Sequence, residues 1–363
     1  MTKYVVRRLI QAVPVMIGIT IVIYAIMLSA PGGPVQRFAQ NPRVTEAQRL
    51  AFIKSWGLDQ PIPVQYCRWL GLCDPNQDGI ALVTKQGVPN FLPSGLGGGS
   101  NGMVHGDLGS SIDSGESVAT RIGKAALPTL ILAGTALIIW ITIAILLGVL
   151  AAVRRYSFFD QAVTVFSYVG FAMPTFWLGL MLILIFGAAL KVLPVSGMTD
   201  TRLSPPFGSD QYWVYFGGQP LTALGDLLRH LILPVITLVT VNIAGDSRFV
   251  RASMLETLGQ DYVRTASAKG LPRRTVVFRH ALRNALLPVV TNIGLEIPFL
   301  FSGAIVTESI FSWPGEGKLF INSITSFDYT ILMGILLITA FLTVLANLLA
   351  DILYAVVDPR IKY

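Results

Sequence analysis

Charge is scarce in this 363-residue chain. Asp, Glu, Lys and Arg together make up only 13% of it. Average usage in soluble proteins is about a quarter, so a soluble globular domain of this length is excluded. Histidine is scarcer still, with three residues. An intramembrane serine protease needs Gly-x-Ser-Gly and a membrane histidine. "PVSG" (194–197) has Pro where that motif has Gly, so this class is set aside. A complete P-loop is also missing. "PGEGKLF" (314–320) carries the one Gly-Lys lead, but Ser312 stands where the first glycine belongs and Leu319 where Ser or Thr belongs. ATP is therefore not expected to bind this chain. No repeat of fixed period is visible.

Apolar residues are abundant, at 53%, and the mean hydropathy is +0.63. They fall in runs of membrane-spanning length, which predicts six transmembrane helices over roughly 9–30, 126–153, 159–190, 229–252, 284–308 and 329–356. The fold class expected is therefore an all-α polytopic membrane protein. The first run, preceded by "MTKYVVRR", reads as an uncleaved anchor, being too long for a signal-peptide core.

The net charge of +7 acquires meaning from its distribution. Lys3, Arg7, Arg8, Arg154, Arg155, eight basic residues within 248–283, Arg360 and Lys362 share one side if six helices alternate. The opposite short loops hold Lys191, Arg202, Arg229 and Lys318. The positive-inside rule then predicts cytoplasmic termini and a cytoplasmic 248–283 segment. No basic–aromatic surface pattern accompanies the charge, so nucleic acid is not an expected partner.

Three regions follow: residues 1–30, a tail and first span; 31–124, extracytoplasmic; and 125–363, a five-helix core. "TEAQRLAFIKSWGL" reads as a short helix with Thr45 as N-cap and Gly57 as stop. Loop 191–228 reads as irregular, with a hairpin around Tyr212–Pro220. "CDPNQDGI" (73–80) opens like a calcium loop, with Asp74, Asn76 and Asp78 as oxygen ligands, but Lys85 occupies the twelfth position where a bidentate Glu belongs. An Asx/Gly turn competes with the calcium reading. Cys67 and Cys73 are the two cysteines, and they can bond if the chain turns between them.

Polar groups inside the spans need reasons, because each is costly in lipid. Asn242, Asn292 and Glu296 are candidates for a polar translocation path, against a reading as interhelical hydrogen-bonding groups. For Asp246 and Asp351, near the cytoplasmic ends, the structural reading is preferred.

The segment "MLETLGQDYVRTASAKGL" (254–271) is amphipathic, with Leu255, Leu258, Tyr262 and Ala266 on one stripe. Gly270 breaks it, and Pro272 restarts a helix. Helix, glycine turn, helix makes a rigid knob suited to a groove on a partner. A helix lying in the headgroups explains the charge but not the break.

At these residues the chain resembles the permease subunits of bacterial ABC importers for dipeptides and oligopeptides. "GLDQPIPVQYCRWLG" (57–71), "HGDLGSSI" (105–112), "PVSG" (194–197), "HLILPVITL" (230–238), "RASMLETLGQDYVRTASAKGL" (251–271), "RHALRNALLPVVT" (279–291), "ESIFSWPGEGKL" (308–319) and "DPRIKY" (358–363) follow in order. The family's ATPase-contacting motif, Glu-Ala-Ala, three residues, then Gly, falls on Arg264, Thr265, Ala266 and Gly270, of which Ala266 and Gly270 match. Residues 73–102 look like an insertion. The resemblance implies a type I permease that catalyses nothing itself and carries no cofactor. It implies docking through a coupling segment within 253–283, on Tyr262, Arg264, Ala266, Ser267, Ala268, Lys269 and Gly270. The implied partners are a second homologous permease, two cytoplasmic ATPases holding ATP and magnesium, an extracytoplasmic substrate-binding protein and membrane lipid. A secondary transporter and a non-transporting scaffold are the alternatives.

Overall fold

The computed structural model describes residues 2–30, 45–55, 58–72, 102–301 and 305–357. Asp74, Asn76, Asp78 and Cys73 of the sequence reading lie outside them, as does Gly57. Among the described residues the architecture is all helical, with one isolated bridge between Ser110 and Ser117.

The helices are α1 (Thr2–Ser29), α2 (Glu46–Ser55), α3 (Ile62–Leu70), α4 (Val118–Val153), α5 (Phe158–Ala172), α6 (Thr175–Leu182), α7 (Asp210–Gly218), α8 (Pro220–Leu258), α9 (Asp261–Ala268), α10 (Arg273–Thr275), α11 (Leu282–Phe301), α12 (Ile305–Ile310), α13 (Glu316–Thr325) and α14 (Tyr329–Val357). Four of them, α1, α4, α8 and α14, are long and apolar enough to cross a membrane, and the bent pair of α5 with α6 and its continuation to Ala189 makes up to five. The run expected over 284–308 is helical as α11 and, separately, α12.

The run expected as one span over 159–190 is broken, with its halves bent by 99°. Pro174 is the cause. A proline's ring pushes the preceding residue out of the helical region, and Met173 is extended at φ −82°, ψ 120°. Pro14, Pro128 and Pro234, by contrast, lie inside continuous helices. The hairpin expected around Tyr212–Pro220 is instead α7, capped by the Ser209 hydroxyl, which accepts from Tyr212 N–H. The cap and the clustering of Phe207, Tyr212, Trp213 and Phe216 rings outweigh the aromatic residues' strand preference.

The described chain divides into two compact units. One comprises 2–126 and 319–344. In it Ile23, Tyr24 and Met27 of α1 pack with Tyr329 and Met333 of α14, and Val118 and Ile122 pack with Leu319, Ile331 and Ile335. The "HGDLGSSI" stretch is tied down here by Asp328, which is buried. Its carboxylate accepts from the Ser111 hydroxyl at 2.5 Å and from the Ile112 and Asp113 amides at 3.3 Å each.

The other unit comprises 127–318 and 345–363. Its described core has two clusters. One gathers Leu132, Ala136 and Trp140 of α4, Leu231, Val235, Val239 and Ile243 of α8, and Trp313. The other joins α4, α8, α9, the segment after α10, and α11.

Candidate functional site

The segment expected to couple is built differently from the single helical stripe expected from Met254 up to the break at Gly270. α8 ends at Leu258, Gly259 N–H bonds Glu256 O, and α9 begins afresh at Asp261. The stripe Leu255, Leu258, Tyr262, Ala266 is therefore not one helical face. α9 buries Val263 and Ala266 instead, and leaves Tyr262, Arg264, Thr265, Ser267, Ala268, Lys269 and Gly270 exposed.

Gly270 ends the knob in the left-handed region, at φ +78°. No heavy atom beyond its neighbours lies within 4 Å of where a Cβ would stand. The glycine is thus required by backbone conformation and not by crowding. Arg264, in the position where the motif has Glu, faces solvent and reaches the Asp261 carboxylate at a loose 3.7 Å.

Behind this exposed face, Val263 and Ala266 sit in one cluster with Val149 and Ala152 of α4, Val250 and Met254 of α8, and Ala285 and Val289 of α11. Asn284 Nδ2 donates to the Tyr262 hydroxyl at 2.7 Å, linking α11 to α9. α9 thus packs directly against α4, α8 and α11.

Two polar anchors absent from the sequence reading hold this unit. Asp160, 3% exposed, takes the Arg251 guanidinium in a two-pronged pair, Nε to Oδ1 at 2.6 Å and a terminal nitrogen to Oδ2 at 2.7 Å. Tyr156 N–H adds a third bond at 2.9 Å. The pair joins the start of α5 to α8, about two turns before α8 ends at Leu258. The signal available was an acid in the first turn of a helix behind a Ser cap, with an unexplained arginine in the basic segment.

The second anchor explains "ESIFSWPGEGKL". Glu308 is fully buried. Its carboxylate accepts from the Thr129 hydroxyl at 2.7 Å, Gly317 N–H at 2.7 Å and Lys318 N–H at 3.2 Å. Thr129 Oγ1 in turn accepts from Glu316 N–H at 2.8 Å, and Trp313 Nε1 donates to Pro128 O at 2.8 Å. A Cβ on Gly315 or Gly317 would run into this carboxylate or the α12 backbone. The Gly-Lys amides that superficially suggest a phosphate loop are thus occupied by an internal acid at a helix N-terminus.

Glu316 is buried next to this carboxylate. Burial, and then the charge of Glu308, push its carboxyl up to about 7. A carboxyl raised in the folded state binds more protons there than in the unfolded chain. Its contribution is therefore favourable only at low pH and is lost as pH rises from the ordinary glutamate range to about 7. Glu316→Gln is expected to remain level with the wild type near pH 5 and to become the more thermostable protein near pH 8. Melting of both proteins in detergent across that range checks this; parallel curves would refute it.

The candidate path residues are not brought together by what is described. Asn242 Nδ2 bonds Leu238 O in its own helix at 2.8 Å. Asn292 Nδ2 reaches Asp246 Oδ1 at 3.4 Å, while Trp140 Nε1 donates to Asp246 Oδ2 at 2.9 Å. Asp246 therefore bridges α4 and α11, the interhelical role weighed for it. Glu296 lies on α11, with its side chain outside the described residues. Among the described residues no cysteine is free, and no group of three or more His, Cys, Asp or Glu could hold a metal; Cys67 lies on α3.

The chain is similar to known proteins over its whole length. Residues 144–363 match the family model "Binding-protein-dependent transport system inner membrane component", and residues 1–78 match its N-terminal companion. The chain is 39% identical to the oligopeptide transport system permease protein AppB of Bacillus subtilis, with both chains covered completely. It is 37% identical to the dipeptide transport system permease protein DppB of Escherichia coli K12, covering all of this chain and 99% of that one. It is 36% identical to the di/tripeptide transport system permease protein DppB of Pseudomonas aeruginosa, with the same coverage. The chain belongs to the family of binding-protein-dependent transport system inner membrane components.

Proposed function

We propose that this chain is the translocation-pore subunit of an ATP-driven importer for peptides. The observation that carries the coupling step is the two-sidedness of α9. One face is locked into the cluster of α4, α8 and α11, while the other is exposed, with Asn284 bonding Tyr262 at its edge and Arg264 only loosely paired to Asp261. In this reading two cytoplasmic ATPases hold ATP and magnesium, and one of them receives the exposed face. Closure of the ATPase pair draws α9 inward, and the shared core passes the motion to the pore helices. This is alternating access driven by one differential contact.

A second, homologous permease completes the pore, and a substrate-binding protein delivers the peptide outside. Six spans, α11 and α12 supplying the fifth, put both termini in the cytoplasm. Residues 31–124 lie outside, with 73–102 as an insertion and Cys67–Cys73 as its bond on the oxidising side. Asn242 on α8 and Asn292 and Glu296 on α11 contribute to the path.

Coupling is tested by reconstituting the full transporter and following ATP turnover and uptake. Gly270→Arg and Ala268→Arg are each expected to cut permease-stimulated turnover at least about tenfold, the effect of losing about 1.4 kcal/mol of docking. Ala268→Arg leaves the backbone unstrained and so separates docking from folding. Unchanged turnover in both would sink the coupling role. Uptake without any ATPase would make the chain a secondary transporter.

A further inference from the structure

Apart from Lys269, exposed just after α9, the eight basic residues of 248–283 fall into two groups. Arg248 donates to Ala244 O at 3.0 Å and lies over the Tyr168 and Phe171 rings. Arg251 holds Asp160, Arg273 donates to Val153 O at 3.0 Å, and Arg264 faces Asp261. Arg274, Arg279 and Arg283 are exposed, and among the described residues none of their side chains has a hydrogen bond or ion pair. They line one concavity of about 560 Å³ together with Thr275 and Phe278.

Backbone geometry assembles this trio. Residues five apart on an α-helix point about 140° away from one another. Val276–Ala281, however, is a π-helical turn, whose wider turn narrows that angle, and Arg274, Arg279 and Arg283 line the same concavity. Arg283 follows one α-turn later. The line then turns apolar. Leu287 and Val290, 40% and 47% exposed, continue it along α11, and Phe278, 51% exposed, sits among the arginines. Val276, Val277, Ala281, Ala285 and Val289 bury the opposite face, so the line cannot rotate inward.

We propose that this line is a binding site for an anionic phospholipid. The headgroup phosphate sits among Arg274, Arg279 and Arg283, and an acyl chain lies along Leu287 and Val290. Guanidinium forks match phosphate oxygens in geometry as well as charge. An acidic protein surface would answer the charge, but it would not use the apolar continuation onto a membrane helix. Free phosphate shares the headgroup chemistry and lacks the chain. The coupling segment thus has two faces with separate tasks: α9 for a protein, and the α10–α11 line for lipid.

The test is native mass spectrometry of the full-length permease in detergent, titrated with dioleoyl phosphatidylglycerol, dioleoyl phosphatidylcholine or inorganic phosphate. The wild type is expected to hold phosphatidylglycerol roughly tenfold or more tighter than phosphatidylcholine at low salt. The Arg274→Gln, Arg279→Gln, Arg283→Gln triple variant is expected to lose that preference, the single Arg279→Gln variant to lose part of it, and Arg273→Gln to keep it. The partial loss in the single variant keeps the test decisive if the triple variant misfolds. An unchanged preference in the variants overturns the proposal. So does displacement of the lipid by equimolar inorganic phosphate, or a loss of ATPase binding with lipid preference intact.

Discussion

Replacing Glu308 with alanine will destabilise the permease by about 3–5 kcal/mol, more than any exposed substitution in the coupling segment. The deletion strands the Thr129 hydroxyl and the Gly317 and Lys318 amides, which all donate to this carboxylate in a fully buried site. Each unsatisfied buried donor costs about 1–3 kcal/mol, and the cavity left behind adds to that. The damage should spread through Thr129, which also accepts from Glu316 N–H. Glu308→Gln is the informative partner. Its one remaining oxygen can still accept from Gly317 and Lys318, and its amide can face Thr129 if that hydroxyl turns. The loss should then be less than half that of alanine. Unfolding in mixed micelles, followed by tryptophan emission, measures both. Trp313 reports locally, because its indole donates to Pro128 O beside the clamp. Equal losses for Ala and Gln would mean that the charge, and not the acceptor geometry, is what the site requires.

Hydropathy made the helical membrane architecture legible, because a spanning segment must be apolar and must satisfy its backbone internally. The knob was legible too, since Gly270 is needed for a left-handed turn that few other residues tolerate. What escaped were features set by partners distant in sequence. The break at Gly259 was hidden because "LETLGQDY" keeps helical periodicity across it. Only packing decides that Val263, and not Tyr262, turns inward. The bend at Pro174 resembled the tolerated prolines of α1, α4 and α8, and local sequence does not say which proline a neighbouring helix will accommodate. Glu308 sat at the edge of a span and drew no suspicion, because the amides that stabilise it belong to a motif nine to ten residues later. Intramembrane polarity was visible in Asn242, Asn292 and Asp246. Its use in bridging α4 and α11 required knowing that Trp140 stands opposite.

The other large effect is expected at Asp160 and Arg251. Removing either partner leaves the other charge buried or half-buried and unpaired, at a cost of about 3–5 kcal/mol. Asp160→Ala should be the worse of the two, since it also strands Tyr156 N–H, whose residue holds a left-handed φ of +65°. Asp160→Asn should fall between, because its amide oxygen can keep Tyr156 satisfied while losing the charge. The double variant Asp160→Ala, Arg251→Ala should be far less damaging than the two singles summed, because no unpaired charge is then left in low dielectric. A swap, Asp160→Arg with Arg251→Asp, should not rescue stability, since arginine offers Tyr156 no acceptor. The pair also connects α5 to the last turns of α8, directly before α9, the proposed coupling helix. Under the proposed coupling role, the single variants should therefore depress ATP-driven uptake at temperatures where the protein remains folded. Stability from unfolding in mixed micelles and uptake from proteoliposomes give the two readouts. Additive stability losses in the double variant would show that Asp160 and Arg251 act separately, and uptake that tracks the folded fraction alone would confine the pair to a structural role.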